Sequence, residues 1–118
     1  MMVPLKPMRV LVATRPVDFR KGMDGLTALV QEHLREDPFS GAIFVFRSKR
    51  RADRVKLVWW DGSGLCLFAK RLENGRFYWP PIEDGMIRLS GAQLSALIEG
   101  MQWTRVHTVE ANAPQAVQ

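Results

Sequence analysis

The sequence predicts an α+β fold, in which a mostly antiparallel β-meander sheet packs against one longer and one short helix. Its length of 118 residues suits one domain with a single modest core. Short apolar segments are separated by the turn sequences DGSG (61–64), ENG (73–75) and PPIEDG (80–85). Two segments with helical spacing flank this region. We predict a single domain over residues 8–104, with loose termini at 1–7 and 105–118.

The first predicted strand and helix lie in the first third of the chain. Residues 8–14 (MRVLVAT) are apolar and rich in β-branched side chains, which favours a strand. Asp24 is a candidate N-cap for a helix over 24–35, and Pro38 disfavours its continuation. The apolar residues of this helix recur at spacings of three and four, which predicts one buried stripe: Leu26, Leu29, Val30 and Leu34.

Five further strands and a second helix follow. The predicted strands are 42–47, 55–60, 64–71, 75–79 and 86–89. Ser90 followed by Gln93 has the pattern of a capping box, which predicts a short last helix ending at Gly100. We expect the helices to cover one face of the sheet and so to bury the apolar side of each strand.

Charge is distributed unevenly along the chain. The net charge is +5 and the pI about 10, so an anionic partner is the first expectation. Residues 1–71 carry a net charge of +7, whereas residues 72–118 carry −2. Cys66 is the only cysteine, which excludes an internal disulfide and favours a reducing compartment. The sequence contains no signal-peptide or membrane-spanning pattern, so we expect a cytoplasmic protein.

The densest charge lies in FRSKRRADRVK (46–56), between two predicted strands. Asp53 is the only acid among six cations in ten positions, which are Arg47, Lys49, Arg50, Arg51, Arg54 and Lys56. A hairpin would turn here, and its tip would present these side chains to phosphate groups. The alternative is a solvated loop whose charge serves solubility.

A second basic group, Arg20 and Lys21, stands just before the first long helix. Helix N-termini attract phosphate, and two cations would add to that attraction. An ordinary turn, in which Arg20 pairs with Asp18, explains the same residues equally well.

Two tryptophans are candidates for stacking or for an interface. Trp59 and Trp60 are adjacent in a predicted strand and must point to opposite faces. Trp60 could stack on a base, or it could pack beneath a loop or helix on the second face. Trp79, which precedes two prolines, is typical of a core edge or an interface.

The sequence contains few candidates for catalytic residues. His33 and His107 are the only histidines, and a lone Cys66 gives no zinc-ligand spacing. The aspartates sit mostly in turns and caps, although a two-metal carboxylate site stays open on sequence alone. We predict no enzyme, no catalytic residue, no metal and no cofactor.

Three segments resemble a known family: DFRKGMDGL (18–26), the long stretch DPFSGAIFVFRSKRRADRVKLVWWDGSGLCLFAKRLENGRFYWP (37–80) and LIEGMQW (97–103). They are similar to the small accessory protein, called TnpB or the second open reading frame product, of the sixty-six-type bacterial insertion sequences. The resemblance covers residues 8–104. It implies a role in transposition of the element, beside a separate transposase that carries the catalytic carboxylates. It supplies no binding residues.

Two functions remain open at this point. One is a DNA-binding factor that contacts the ends of the element, and the other is an interaction module that binds the transposase without contacting DNA. In the second case the surface would be Trp60, or Trp79 to Pro81. RNA binding is a lesser alternative, and the oligomeric state is left open.

Overall fold

Five strands and two helices make up the fold in the computed structural model, which describes residues 9–106. In chain order the elements are β1 (Val10–Ala13), α1 (Met23–Glu32), β2 (Ile43–Arg47), β3 (Arg54–Trp60), β4 (Leu65–Arg71), β5 (Met86–Leu89) and α2 (Gly91–Ile98). The predicted α+β class is confirmed. Of the predicted loose termini, 1–7 and 105–118, residues 1–7 and 107–118 lie outside the described residues, whereas the amide of Val106 donates to the carbonyl of Trp103 at 3.0 Å. No helix within residues 9–106 has the length and apolar character needed to cross a membrane.

The strands form one mixed sheet in the order β4-β3-β2-β1-β5. β2, β3 and β4 are joined by short loops, pair antiparallel and form the predicted meander. β1 runs parallel to β2, because α1 carries the chain back across the sheet between them. β5 returns to the free edge of β1 and pairs with it antiparallel. Three of the four strand pairs are therefore antiparallel, as predicted.

The helices lie on opposite faces of the sheet, so the prediction that they cover one face is wrong. On one face, Leu26 and Val30 of α1 pack against Phe44. On the other face, Leu94 and Leu97 of α2 are buried within a separate apolar cluster. The physical reason is that the interior of the sheet is apolar on both faces. Every residue of β1 is buried, the pattern of a strand covered on both faces.

The predicted strand at 75–79 is absent, which is a second correction. This segment lies on the α2 face of the sheet without regular secondary structure, with Phe77 buried. The amide of Phe77 donates to the carbonyl of Ala52 at 3.0 Å, and the indole of Trp103 donates to the carbonyl of Tyr78 at 2.5 Å. Pro80 and Pro81 follow, and because proline has no N–H, a strand ladder cannot continue through them.

The predicted N-cap is confirmed for α2 but is wrong for α1. The predicted capping box is present at α2, where Gln93 N donates to Ser90 Oγ at 3.1 Å and Ser90 N donates to Gln93 Oε1 at 2.9 Å. Asp24 was predicted as the cap of α1, but the N-cap is Gly22, without a side-chain bond. Asp24 instead occupies the first turn, where its negative charge interacts favourably with the positive end of the helix dipole.

Candidate nucleic-acid interface

The basic segment forms the turn of the β2–β3 hairpin, as predicted. Ser48 Oγ accepts hydrogen bonds of 3.2 Å from the amides of both Arg50 and Arg51, which fixes the shape of the loop. The side chains of Lys49, Arg50 and Arg51 are exposed. Within residues 9–106 these three make no ion pair and no side-chain hydrogen bond. They are therefore the part of the segment available to an outside anion. We call Lys49, Arg50 and Arg51 the loop cations.

Backbone hydrogen bonds attach this loop to the segment before α1. Val17 N donates to Arg47 O at 2.8 Å, and Lys49 N donates to Val17 O at 3.0 Å. This short parallel bridge brings Arg20 beside the loop. Arg20 and the loop cations, which are far apart in sequence, therefore belong to one surface.

The other end of the loop is held from the opposite direction. The carbonyl of Ala52 accepts from Phe77 N at 3.0 Å and from Trp79 Nε1 at 3.2 Å. The carbonyl of Asp53 accepts from Leu72 N at 2.9 Å. Because both ends are fixed by the fold, the loop loses little conformational freedom when a ligand binds.

An open groove of about 600 Å³ runs between the loop and the segment before α1. Among the described residues, Asp18 is the only acid that lines it, and Arg20 Nη2 lies 2.6 Å from Asp18 Oδ2. The hydrogen bonds from Arg20 hold the pKa of Asp18 far below its usual value, and the nearby charge of Lys49 adds a smaller effect. The same pair raises the pKa of Arg20. The turn with an Asp18–Arg20 pair, one of the two interpretations of the sequence, is present, while Lys21 is exposed.

Arg47 and Lys56 have internal partners. Strand alternation places Arg47 on the α2 face, where Nη1 donates to Pro80 O at 2.7 Å and the guanidinium lies 5.4 Å from the Trp79 ring centroid. Desolvation lowers the pKa of Arg47. Lys56 lies on the α1 face, and its Nζ donates to the carbonyls of Phe19 at 2.8 Å and Lys21 at 3.1 Å. Arg47 and Lys56 therefore bond to other segments of the fold, whereas the loop cations face solvent.

Sequence reasoning did not include Arg71 among the candidate binding residues. The register of β3 and β4 places it directly opposite Arg54. Arg71 is 61% exposed and lies 3.6 Å from Glu73. Its position beside Arg54 follows from strand pairing, which the sequence does not specify residue by residue.

Of the two candidate tryptophans, Trp60 lies at the end of β3 remote from the loop, whereas Trp79 contacts the loop. Trp59 is buried on the α2 side and Trp60 is half-buried on the α1 side, so the prediction of opposite faces is confirmed. Trp60 packs edge-to-face against Phe39, with ring centroids 5.6 Å apart. Trp79 is half-buried and holds the loop through Ala52.

Comparison with known proteins identifies the family of this chain. The IS66 Orf2-like protein family matches residues 8–108. The chain belongs to this family. The resemblance drawn from the sequence is thereby confirmed, and membership indicates an accessory role in transposition of an IS66-type insertion sequence.

Two curated relatives of this IS66 Orf2-like protein come from Sinorhizobium fredii. The uncharacterized protein y4jC is 48% identical over 117 residues, covering 99% of each chain. The uncharacterized protein y4hO is 48% identical over 95 residues, covering 80% of this chain and 82% of its own. No solved structure matches the chain.

The remaining reactive side chains of the IS66 Orf2-like protein are dispersed. In the part of the chain that the structure describes, no three His, Cys, Asp or Glu side chains group as metal ligands would. His33 is exposed at the end of α1, and His107 lies outside the described residues. Cys66 Sγ donates to Asp61 Oδ2 at 3.4 Å. Desolvation, with a further effect of Asp61, raises the pKa of this thiol and so disfavours the nucleophilic thiolate.

Proposed function

We propose that this IS66 Orf2-like protein is a non-catalytic accessory factor that binds DNA phosphates at the groove beside the β2–β3 loop. The observation that carries the proposal is the set of loop cations, exposed and without side-chain partners within residues 9–106. Like charges held this close repel one another unless an anion neutralises them. Phosphates would do so, with arginine offering paired donors and lysine a point charge.

Arg54 would provide a fourth contact at the base of the groove, which it lines together with the loop cations. Arg20, engaged with Asp18, would extend the positive surface without leaving that pair, and Lys21 would extend it further. The two fixed ends of the loop favour binding, because the cations are already held on one side of the molecule.

Contacts of this kind position a protein on DNA but do not read its sequence. We therefore expect the loop to bind duplexes of any sequence. Preference for the ends of the element would come from the transposase that this protein assists, with DNA and the transposase as its two partners.

An exposed apolar surface around Trp60 favours a second candidate function, in which the protein docks on the transposase without contacting DNA. Phe39 and Leu67 are 47% and 40% exposed. Trp60, on the α1 face of β3, packs against Phe39. Exposed apolar groups around a half-buried tryptophan are typical of a binding hot spot. In that case the loop cations would contact an acidic part of the partner.

A salt titration separates the two functions. The protein is titrated against a labelled duplex carrying the terminal repeat of the element, with a scrambled duplex as control. Four phosphate contacts, from Arg54 and the loop cations, predict a slope of log affinity against log salt of about −3.6 or steeper for both duplexes.

The variant Arg50→Glu/Arg51→Glu tests the site, and Arg88→Glu/Arg105→Glu is its matched control. The control makes the same change in charge at two exposed arginines remote from the groove lining. We expect only the loop variant to lose binding. Equal loss in both variants would reduce the effect to bulk charge, and no binding of wild type at low salt would overturn the DNA function. Capture of purified transposase by wild type but not by Leu67→Glu would then support docking.

A further inference from the structure

A second groove, of about 520 Å³, adjoins the first across the α1 face of the sheet. Phe19 and Arg54 line both grooves, so the two form one continuous depression. The second groove extends over β3 and β4 to Arg71 and Glu73 at the sheet edge. The positive surface of the protein therefore does not end at the loop.

Arg54 and Arg71 are the outermost cross-strand pair of β3 and β4. Strand alternation places both on the same face as Lys56, which is two residues from Arg54 and bonds to the segment before α1. Directly opposed residues have Cβ atoms about 5 Å apart, and like charges at that distance destabilise a sheet. Such a pair is a natural place for an anion that contacts both guanidinium groups.

The acids near these arginines do not occupy them fully. Arg54 Nε lies 3.5 Å from Asp53 Oδ1, and neither atom has a hydrogen-bond partner within residues 9–106 although both are shielded from solvent. Arg71 Nη2 lies 3.6 Å from Glu73 Oε2, beyond hydrogen-bond distance, on a largely exposed side chain. An exposed ion pair such as Arg71–Glu73 is weak and leaves donors for another ligand.

The neighbouring lysines are engaged elsewhere. Lys70 points to the α2 face, where its Nζ donates to Ile98 O at 2.7 Å. Lys56 donates to the carbonyls of Phe19 and Lys21. The available cations of the second groove are therefore the two arginines, and arginine is the residue suited to paired contacts with phosphate.

We propose that Arg71 and Arg54 form a second phosphate subsite, so that the ligand is a continuous nucleic-acid strand running from the loop cations past Phe19 to the edge of β4. The inference rests on the proposed DNA-binding function and deepens it. Phe19 and Arg54 line both grooves, so one strand can follow the depression and present one phosphate to the loop cations and another to Arg54 and Arg71. An isolated phosphate can occupy only one of the two subsites.

The test is the same salt titration with Arg71→Ala, and with Arg88→Ala as the matched control. Arg88 is also an exposed arginine on an edge strand, at the opposite edge of the sheet. With Arg71 as a fifth contact, we expect a wild-type slope of about −4.5, which Arg71→Ala changes to about −3.6. At 0.1 M salt one such contact corresponds to about an eightfold difference in affinity. Arg88→Ala should leave both quantities unchanged.

Two further variants make the outcome decisive. Glu73→Gln removes the acid that competes for Arg71, so binding should tighten. Arg51→Ala tests the loop subsite alone and should also reduce the slope by about 0.9. If Arg51→Ala weakens binding while Arg71→Ala and Glu73→Gln behave as Arg88→Ala does, the second subsite is overturned and the proposed function stands. If wild type binds neither duplex, both are overturned.

Discussion

The guanidinium of Arg47 lies 5.4 Å from the ring centroid of Trp79 and donates a hydrogen bond of 2.7 Å to the next carbonyl, that of Pro80. Trp79 in turn donates to Ala52 inside the basic loop. Arg47 therefore connects the end of β2 to the segment that fixes the loop from the other side. Within a segment whose charge suggests a ligand, this arginine has an internal role in the fold.

Replacing Arg47 with alanine should destabilise the protein by about 2 kcal/mol. The change removes a charge-assisted hydrogen bond to a carbonyl and a cation–π contact, and leaves the Pro80 carbonyl without that donor. Urea unfolding measures the difference. Arg50→Ala is the control, since an exposed side chain with no hydrogen bond or ion pair within residues 9–106 should change the free energy of unfolding by less than about 0.5 kcal/mol. Equal values for the two variants would contradict the internal role of Arg47.

Lys56→Met should loosen the segment before α1. Methionine retains an apolar stem of similar length but loses both hydrogen bonds from Nζ, to the carbonyls of Phe19 and Lys21. We expect a loss of about 2 kcal/mol in stability and faster hydrogen exchange at residues 17–21.

Lys49→Met is the matched control for this variant, because Lys49 is exposed and its side chain makes no hydrogen bond within residues 9–106. It should leave exchange at 17–21 unchanged while weakening DNA binding. Unaltered exchange in Lys56→Met would show that the backbone bridge at Val17 holds the segment without the lysine.

Local signals in the sequence predicted local structure well. Ser90 and Gln93 form a capping box because their spacing places each side chain on the other residue's amide. The turn before β4 also formed where DGSG stands, with Asp61 Oδ1 accepting from the amides of Ser63 and Gly64. In both cases the partners are within three residues, so no knowledge of the fold is needed.

Long-range arrangement could be predicted only in part. The uninterrupted apolar run Val10–Ala13 was available in the sequence as a signal for a sheet covered on both faces, because such a strand has no polar side to expose. The pairing of Arg54 with Arg71 was not available, since a shift of one residue in register would turn every side chain of β4 to the other face. Likewise, nothing near Arg47 in sequence indicates its contact with Trp79.

The Asp18–Arg20 pair should make stability sensitive to acid. Hydrogen bonds from Arg20 lower the pKa of Asp18 in the folded state below its usual value of 3.8. Stability from this carboxylate is therefore fully present above pH of about 4 and is lost as pH falls towards the folded pKa, because the unfolded chain binds the proton first. Thermal unfolding of wild type and Asp18→Asn from pH 6 to pH 2 measures this.

Asp18→Asn should unfold at a lower temperature at pH 6, and the difference from wild type should shrink as the pH falls. Glu83→Gln is the control, because its exposed side chain makes no ion pair or hydrogen bond within the described residues. Its difference from wild type should be small throughout. A constant difference between Asp18→Asn and wild type at every pH would mean that the turn needs the shape of aspartate but not its charge.

Asp61→Asn should make Cys66 more reactive. Burial raises the pKa of the thiol most, and the hydrogen bond and charge of Asp61 raise it further. Asparagine keeps a side-chain oxygen for the amides of Ser63 and Gly64 but removes the negative charge. The thiolate then forms at lower pH, so the rate of alkylation by iodoacetamide against pH should reach its midpoint earlier than in wild type. Ser63→Ala alters the same turn without changing its charge and should leave that midpoint in place. If Ser63→Ala shifts the midpoint as far as Asp61→Asn does, the effect comes from opening of the turn, and the carboxylate has no direct influence on the thiol.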